Sequence, residues 1–206
     1  GLSMLQVLQL SATGLQSIEG LEMATDLRRL HVTSNFLNGT IPDLIFALTN
    51  LRSLFLSFNE FSGTLPASIS SLSHLEEFYA YGNSLNGSLP GDALSKLTNI
   101  KDFVMSENSL TGQFPSQFSS LPKLEQLSLF DQHGDTHLSG SIPNFSGAPN
   151  LWYFDVTGND MSGTIPSDFM QNSFFKKSFL NCSKFYLFNC HSLCVNCHHA
   201  SCLTWG

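Results

Sequence analysis

One phrase, Leu-x-x-Leu-x-Leu-x-x-Asn-x-Leu-x-Gly-x-Ile-Pro, recurs along the chain and limits its fold more than any other feature. It reads as Leu27, Leu30, Val32, Asn35, Leu37, Gly39, Ile41, Pro42, and next as Leu51, Leu54, Leu56, Asn59, Phe61, Gly63, Leu65, Pro66. Two more copies are Leu75, Phe78, Ala80, Asn83, Leu85, Gly87, Leu89, Pro90 and Ile100, Phe103, Met105, Asn108, Leu110, Gly112, Phe114, Pro115. The best late copy is Leu151, Phe154, Val156, Asn159, Met161, Gly163, Ile165, Pro166. A shorter unit opens with Leu5, Leu8, Leu10 and Leu15 and has Thr13 at the Asn position. Another begins with Leu124, Leu127 and Leu129, is interrupted over 131–137, and resumes at Leu138, Gly140, Ile142, Pro143. Units therefore start near 5, 27, 51, 75, 100, 124 and 151, and a degraded eighth copy is expected from Phe175 through Leu180 to Phe185. Such phased self-similarity is the signature of a stacked array in which each unit buries its apolar face only against its neighbours.

Each position has a physical reason. The Leu-x-Leu stretch alternates with period two, so it forms a short strand with one face in the core. Stacked in parallel at about 4.8 Å, eight such strands make a concave sheet on the order of 35 Å long. The Asn turns the chain out of the strand, and its amide can satisfy turn backbone groups, so that Asn35, Asn59, Asn83, Asn108 and Asn159 form a ladder. Gly supplies a conformation bulkier residues resist, and the Pro ends hydrogen bonding on the far side. Six of the eight prolines fall at that phase, so their role is structural. The i, i+3 spacing of Ile45, Leu48, Leu51 and of Ile69, Leu72, Leu75 points to a short helical turn on the convex side.

The Leu-x-Gly-x-Ile-Pro extension resembles the plant-type subclass of leucine-rich repeats, found in receptor-like kinase and receptor-like protein ectodomains and in polygalacturonase-inhibiting proteins. The resemblance covers residues 4 to 172. It implies an α/β solenoid: a right-handed superhelix with a concave parallel sheet, helical or 3-10 turns on the convex side, secretion, and ligand recognition on the inner face. That family's cysteine-paired amino-terminal cap is missing here, and the carboxy-terminal tail does not match its usual cap. The expected organisation is a solenoid over 1–172 and a Cys-rich tail over 173–206.

A formal charge of −7 makes nucleic acid a poor partner. No apolar run is long enough to span a bilayer, and no signal peptide is present, so the chain reads as a piece of something longer. No kinase motif is present. Sequons at Asn38, Asn86, Asn144 and Asn181 fit an extracellular or cell-surface parent, although the repeat phrase generates those at Asn38 and Asn86 whenever x is Asn.

A ligand would sit on the outward strand positions. Those are Arg28, Arg29, His31, Thr33, Ser34 in the second unit; Arg52, Ser53, Phe55, Ser57, Phe58 in the third; and Glu76, Glu77, Tyr79, Tyr81, Gly82 in the fourth. They continue as Lys101, Asp102, Val104, Ser106, Glu107; as Glu125, Gln126, Ser128, Phe130, Asp131; and as Trp152, Tyr153, Asp155, Thr157, Gly158. Phe55, Phe58, Tyr79 and Tyr81 should lie side by side, bordered by Arg28, Arg29 and Arg52 on one flank and by acidic residues on the other. Such aromatics suit a protein or peptide ligand; a cross-strand ladder that only stabilises the sheet would look the same. Trp152 and Tyr153 form a second candidate, which a glycan would also suit.

Other motifs carry less. Asp131, His133, Asp135 and His137 could chelate a cation, or belong to a polar loop that clasps a ligand at the rim. Cys182, Cys190, Cys194, Cys197 and Cys202 suit disulfides of a cap better than haem or zinc, though five is odd. The tail reads equally as run-on sequence outside the repeat array. The absence of paired carboxylates, a triad or a phosphate loop at a meaningful phase argues against an enzyme and for a binding module without cofactor or metal. The alternative is a cell-wall or matrix scaffold. Leu2, Leu5 and Leu8 at an uncovered edge predict self-association.

Overall fold

A computed structural model describes residues 2–166 and 177–179. One parallel sheet runs through all of it, one strand per repeat: β1 (Val7–Gln9), β2 (Arg29–His31), β3 (Ser53–Phe55), β4 (Glu77–Tyr79), β5 (Asp102–Val104), β6 (Gln126–Ser128), β7 (Tyr153–Asp155) and β8 (Lys177–Phe179). The strands pair in sequence order without a register slip, Leu30 facing Leu54, Leu54 facing Phe78, and so on to Phe154. Pairing of β7 with β8 carries the sheet past residue 172.

The apolar phase of each repeat makes the core. Leu27, Leu30 and Val32 on the strand, Leu37 and Ile41 on the flank and Ile45 and Leu48 on the back are all buried, and the later repeats repeat the set. In repeats four to seven the packing turns aromatic. Phe78 meets Phe103 with ring centroids 5.2 Å apart, Phe103 meets Phe118 at 5.0 Å, and Phe145 meets Phe154 at 5.3 Å. The convex side carries single helical turns over Asp43–Ala47, Ala67–Ser71, Gly91–Leu94 and Ser116–Ser120. A proline starts each of them, because its missing N–H is not needed there. Short lateral strands follow the turn in repeats two to seven, as in Glu60–Gly63 and Ser84–Gly87, and form two further parallel sheets on one flank.

The Asn ladder is built as follows. The Asn59 carbonyl accepts the Leu37 N–H at 3.1 Å, one repeat back, while its NH2 donates to Val32 O at 3.0 Å and to Leu56 O at 2.9 Å. Asn35, Asn83, Asn108 and Asn159 repeat the arrangement. The interrupted sixth repeat does not skip its rung. Gln132 fills it, accepting the Leu110 N–H at 2.9 Å and donating to Met105 O and Leu129 O. The insertion therefore begins after Gln132, not at Asp131 as the sequence suggested. The residue before each rung is in the left-handed region: Ala12, Ser34, Phe58, Gly82, Glu107, Asp131 and Gly158.

Among the described residues no helix is long and apolar enough to cross a membrane. The first-repeat edge exposes Leu2, Met4 and Val7. The cysteines, the Asn181 sequon and most of the expected eighth repeat lie outside the described residues.

Candidate concave-face site

Register places the outward side chains in rows that cross the strands. The row on the last residue of each strand reads His31, Phe55, Tyr79, Val104, Ser128, Asp155. Its first half is an aromatic run. The His31 ring centroid lies 4.0 Å from that of Phe55, and Phe55 stacks on Tyr79 at 4.7 Å with planes 12° apart. Phe58 and Tyr81 form a separate edge-to-face pair at 4.5 Å. The four aromatics expected side by side are thus two pairs, with His31 extending one of them.

The second half of the row departs from the sequence reading. Val104, Ser128 and Asp155 were expected to face solvent, as were Ser53, Ser57 and Ser106, yet all six are buried. On the inside of an arc, parallel strands crowd, and small side chains are covered by larger neighbours. They also bond to one another: Ser106 Oγ lies 2.9 Å from Ser128 Oγ, and Ser53 Oγ donates to Glu77 at 2.6 Å. Alternation of strand residues fixes direction, whereas exposure depends on the side chain one repeat away.

Phe58 is the unusual member. It is 46% exposed, and its φ is 54°, a conformation that costs an L residue roughly 1–2 kcal/mol. Its ring lies over Gly82 of the next repeat, where a Cβ would sit 2.9 Å from Phe58 Cδ1. Gly82 therefore makes the space that Phe58 occupies.

The charges also sort themselves. Glu76 accepts Arg52 at 2.6 Å and Lys101 at 2.9 Å, an ion-pair chain along the rim. The Lys101 hydrogen bond first, and then that of Arg52, lowers the Glu76 pKa. Arg52 is thus already engaged, and the basic flank is Arg28 and Arg29, both exposed. Tyr79 donates to Asp102 at 3.0 Å, and burial, with the Asp102 charge second, pushes the Tyr79 hydroxyl far above its usual range. Tyr153 donates to Asp155 at 3.3 Å and is pushed up to about 12, again by burial first. Burial lowers the His31 pKa.

Burial raises the pKa values of Asp102 and Asp155 above the ordinary carboxylate range. A raised native pKa means that the folded state holds the proton more tightly than the unfolded one. The stability this contributes is complete below the unfolded value of about 4 and is lost as pH rises through the native pKa. Glu76 runs the other way, losing its contribution as pH falls. Asp155→Asn should therefore flatten the fall in melting temperature as pH rises above about 4. Melting curves of both proteins across that range check this, and parallel curves would remove Asp155 as the cause.

The remaining sequence-named residues are dispersed. Trp152 packs edge-on to Tyr153 at 5.9 Å, three strands from Tyr79. Asn38, Asn86 and Asn144 are exposed; Asn38 and Asn86 lie on the lateral strands, away from the concave face. Asp131, His133 and Asp135 are exposed, and His137 reaches Asp160 at 3.3 Å. Among the described residues no group of three or more His, Cys, Asp or Glu could hold a metal ion. Sequence reasoning missed the Gln132 rung, although Leu129 to Gln132 has the same spacing as Leu56 to Asn59. It also missed the Arg52–Glu76–Lys101 chain, which three equivalent positions in consecutive repeats could have revealed.

A family profile described as leucine rich repeat matches residues 25–85. No curated protein matches the chain. Among solved structures, the ectodomain of the Arabidopsis thaliana membrane receptor kinase GASSHO1/SCHENGEN3, in complex with CASPARIAN STRIP INTEGRITY FACTOR 2, is similar at 27% identity and a TM-score of 0.66, over 78% of this chain and 19% of that one. A TDR receptor is similar at 29% identity and a TM-score of 0.65, over 78% of this chain and 31% of its own. The Arabidopsis receptor kinase HAESA ectodomain, in complex with an IDA peptide hormone ligand, is similar at 25% identity and a TM-score of 0.65, over 84% of this chain and 33% of its own. The chain thus spans between about a fifth and a third of the length of these structures. Repeat phrase, rung ladder, parallel sheet and these likenesses together identify the chain as a leucine-rich-repeat solenoid of the plant type.

Proposed function

We propose that this solenoid is an extracellular recognition module that binds a protein or peptide on its concave face, within a cell-surface receptor or a secreted inhibitor. It binds and does not catalyse. The similar GASSHO1/SCHENGEN3 and HAESA ectodomains are in complex with CASPARIAN STRIP INTEGRITY FACTOR 2 and with a peptide hormone, which supports a peptide-like partner for this chain as well.

Phe58 carries the reading. The turn position that it occupies takes a positive φ in every described repeat and is filled elsewhere by Ala12, Ser34, Gly82, Glu107, Asp131 and Gly158, so the turn does not require an exposed aromatic ring there. An exposed ring that the turn does not need is the kind of residue that anchors a partner. The stabilising-ladder alternative makes the opposite prediction, so one substitution separates them. Phe58→Gly relieves the backbone and loses the Tyr81 contact, two effects of about 1 kcal/mol each and of opposite sign, so stability should hardly move. A ligand anchored on Phe58 should lose on the order of 2 kcal/mol, roughly thirtyfold in affinity. Capture from extracellular fluid, followed by titration of the partner against both proteins, provides the measurement. Equal binding by both would move the site to Trp152 or the rim loop. A large stability loss in the variant, with no partner held by either protein, would favour a scaffold.

A further inference from the structure

The concave face has a direction. Arg28 and Arg29, in no ion pair among the described residues, stand at β2, and beside them Arg52 and Lys101 are both engaged by Glu76. Beyond that ion-pair chain, as far as β7, the charged residues on the described face are acids. Glu107 and Asp131 occupy the left-handed turn positions after β5 and β6, in the same row as Phe58. Between the two charged ends lie Phe55, Phe58 and Tyr81. The three features fall on one diagonal, from the start of β2 across the aromatics to the turns after β5 and β6.

That diagonal spans three to four strand steps and five to six residues along the strands, a length of about 25 Å. An extended chain rises about 3.3 Å per residue, so about seven to eight residues cover it.

Resting on the recognition reading above, we propose that the ligand is an extended peptide segment that crosses the strands diagonally. It carries an acidic group over Arg28 and Arg29, and an apolar side chain against Phe55, Phe58 and Tyr81. A basic side chain about seven to eight residues from the acidic one reaches Glu107 and Asp131. Complementary charge of this kind sets register and rejects wrong partners more than it adds affinity. The order of the three groups is therefore the specificity of the site.

Selection of a random displayed-peptide library on the immobilised protein tests this. The enriched sequences should share acid, apolar residue and base in that order at that spacing. The charge reversals Arg28→Glu with Arg29→Glu, and Glu107→Lys with Asp131→Lys, should each weaken the enriched peptides on the order of tenfold. Each should select new sequences reversed only at the matching end, and circular dichroism checks the fold of both variants. Peptides that bind and are lost with Phe58→Gly, yet ignore both reversals, would overturn the directional register and leave the recognition reading standing. Enrichment of nothing, or binding that ignores Phe58→Gly as well, would overturn both, and an oligosaccharide array would then show whether Trp152 and Tyr153 hold a glycan instead.

Discussion

Asn108→Ala should destabilise the protein by about 3–4 kcal/mol, the largest loss expected from any single polar truncation in the array. Asn108 is fully buried, its carbonyl accepts the Leu85 N–H at 3.0 Å, and its NH2 donates to Ala80 O, Met105 O and Ser106 O at 3.0–3.1 Å. Alanine removes these bonds and leaves the Leu85 N–H unpaired in a region closed to water, which costs more than the bonds themselves contributed. The position matters as much as the count. Stability in a stacked array is a sum of unit and nearest-neighbour terms, and Asn108 lies in the junction between repeats four and five. Its loss should uncouple the two flanks. In guanidinium, far-ultraviolet dichroism should then fall in two steps, with Trp152 fluorescence following the later repeats alone. A single coincident transition at the wild-type midpoint would show that the ladder does not couple the repeats.

Phe103→Ala should cost about 3–5 kcal/mol through the cavity it leaves. The ring is fully buried between Phe78 and Phe118, at 5.2 and 5.0 Å. The equivalent positions in repeats two, three and six are Leu30, Leu54 and Leu127, so Phe103→Leu restores the commoner residue. It should still cost about 1–2 kcal/mol, because Phe118 is placed for a ring and the site cannot collapse fully. Chemical denaturation of the two variants separates volume from ring packing. A leucine variant as stable as wild type would mean that the aromatic spine adds nothing beyond its apolar area.

Much of this molecule is legible from spacing. Period-two alternation locates the strands, Asn fixes the turn, and Pro marks the start of the helical turn, because each is a backbone requirement met within one repeat. What spacing does not show is what one repeat does to the next. Val104, Ser128 and Asp155 point outward as the alternation requires, and yet are covered by neighbours some two dozen residues away. Arg52 looks like a free cation until Glu76 is set beside it. Gln132 was hidden for a different reason, since a chemical synonym fills the rung while the eye searches for Asn. The candidate site was therefore legible in composition but not in state. Its aromatics were named, whereas their pairing and the strained backbone of Phe58 belong to the assembled array.

The rungs also impose an order in time. Each turn is completed by a side chain from the following repeat: Asn59 takes the Leu37 N–H, Asn83 the Phe61 N–H and Asn108 the Leu85 N–H. A chain leaving the ribosome therefore always carries one unfinished turn, which closes only when the next unit emerges. Because each closure spans a loop of nearly constant length, its entropic cost does not grow along the array. Lengthening such a solenoid by another unit would leave the time to finish each turn unchanged.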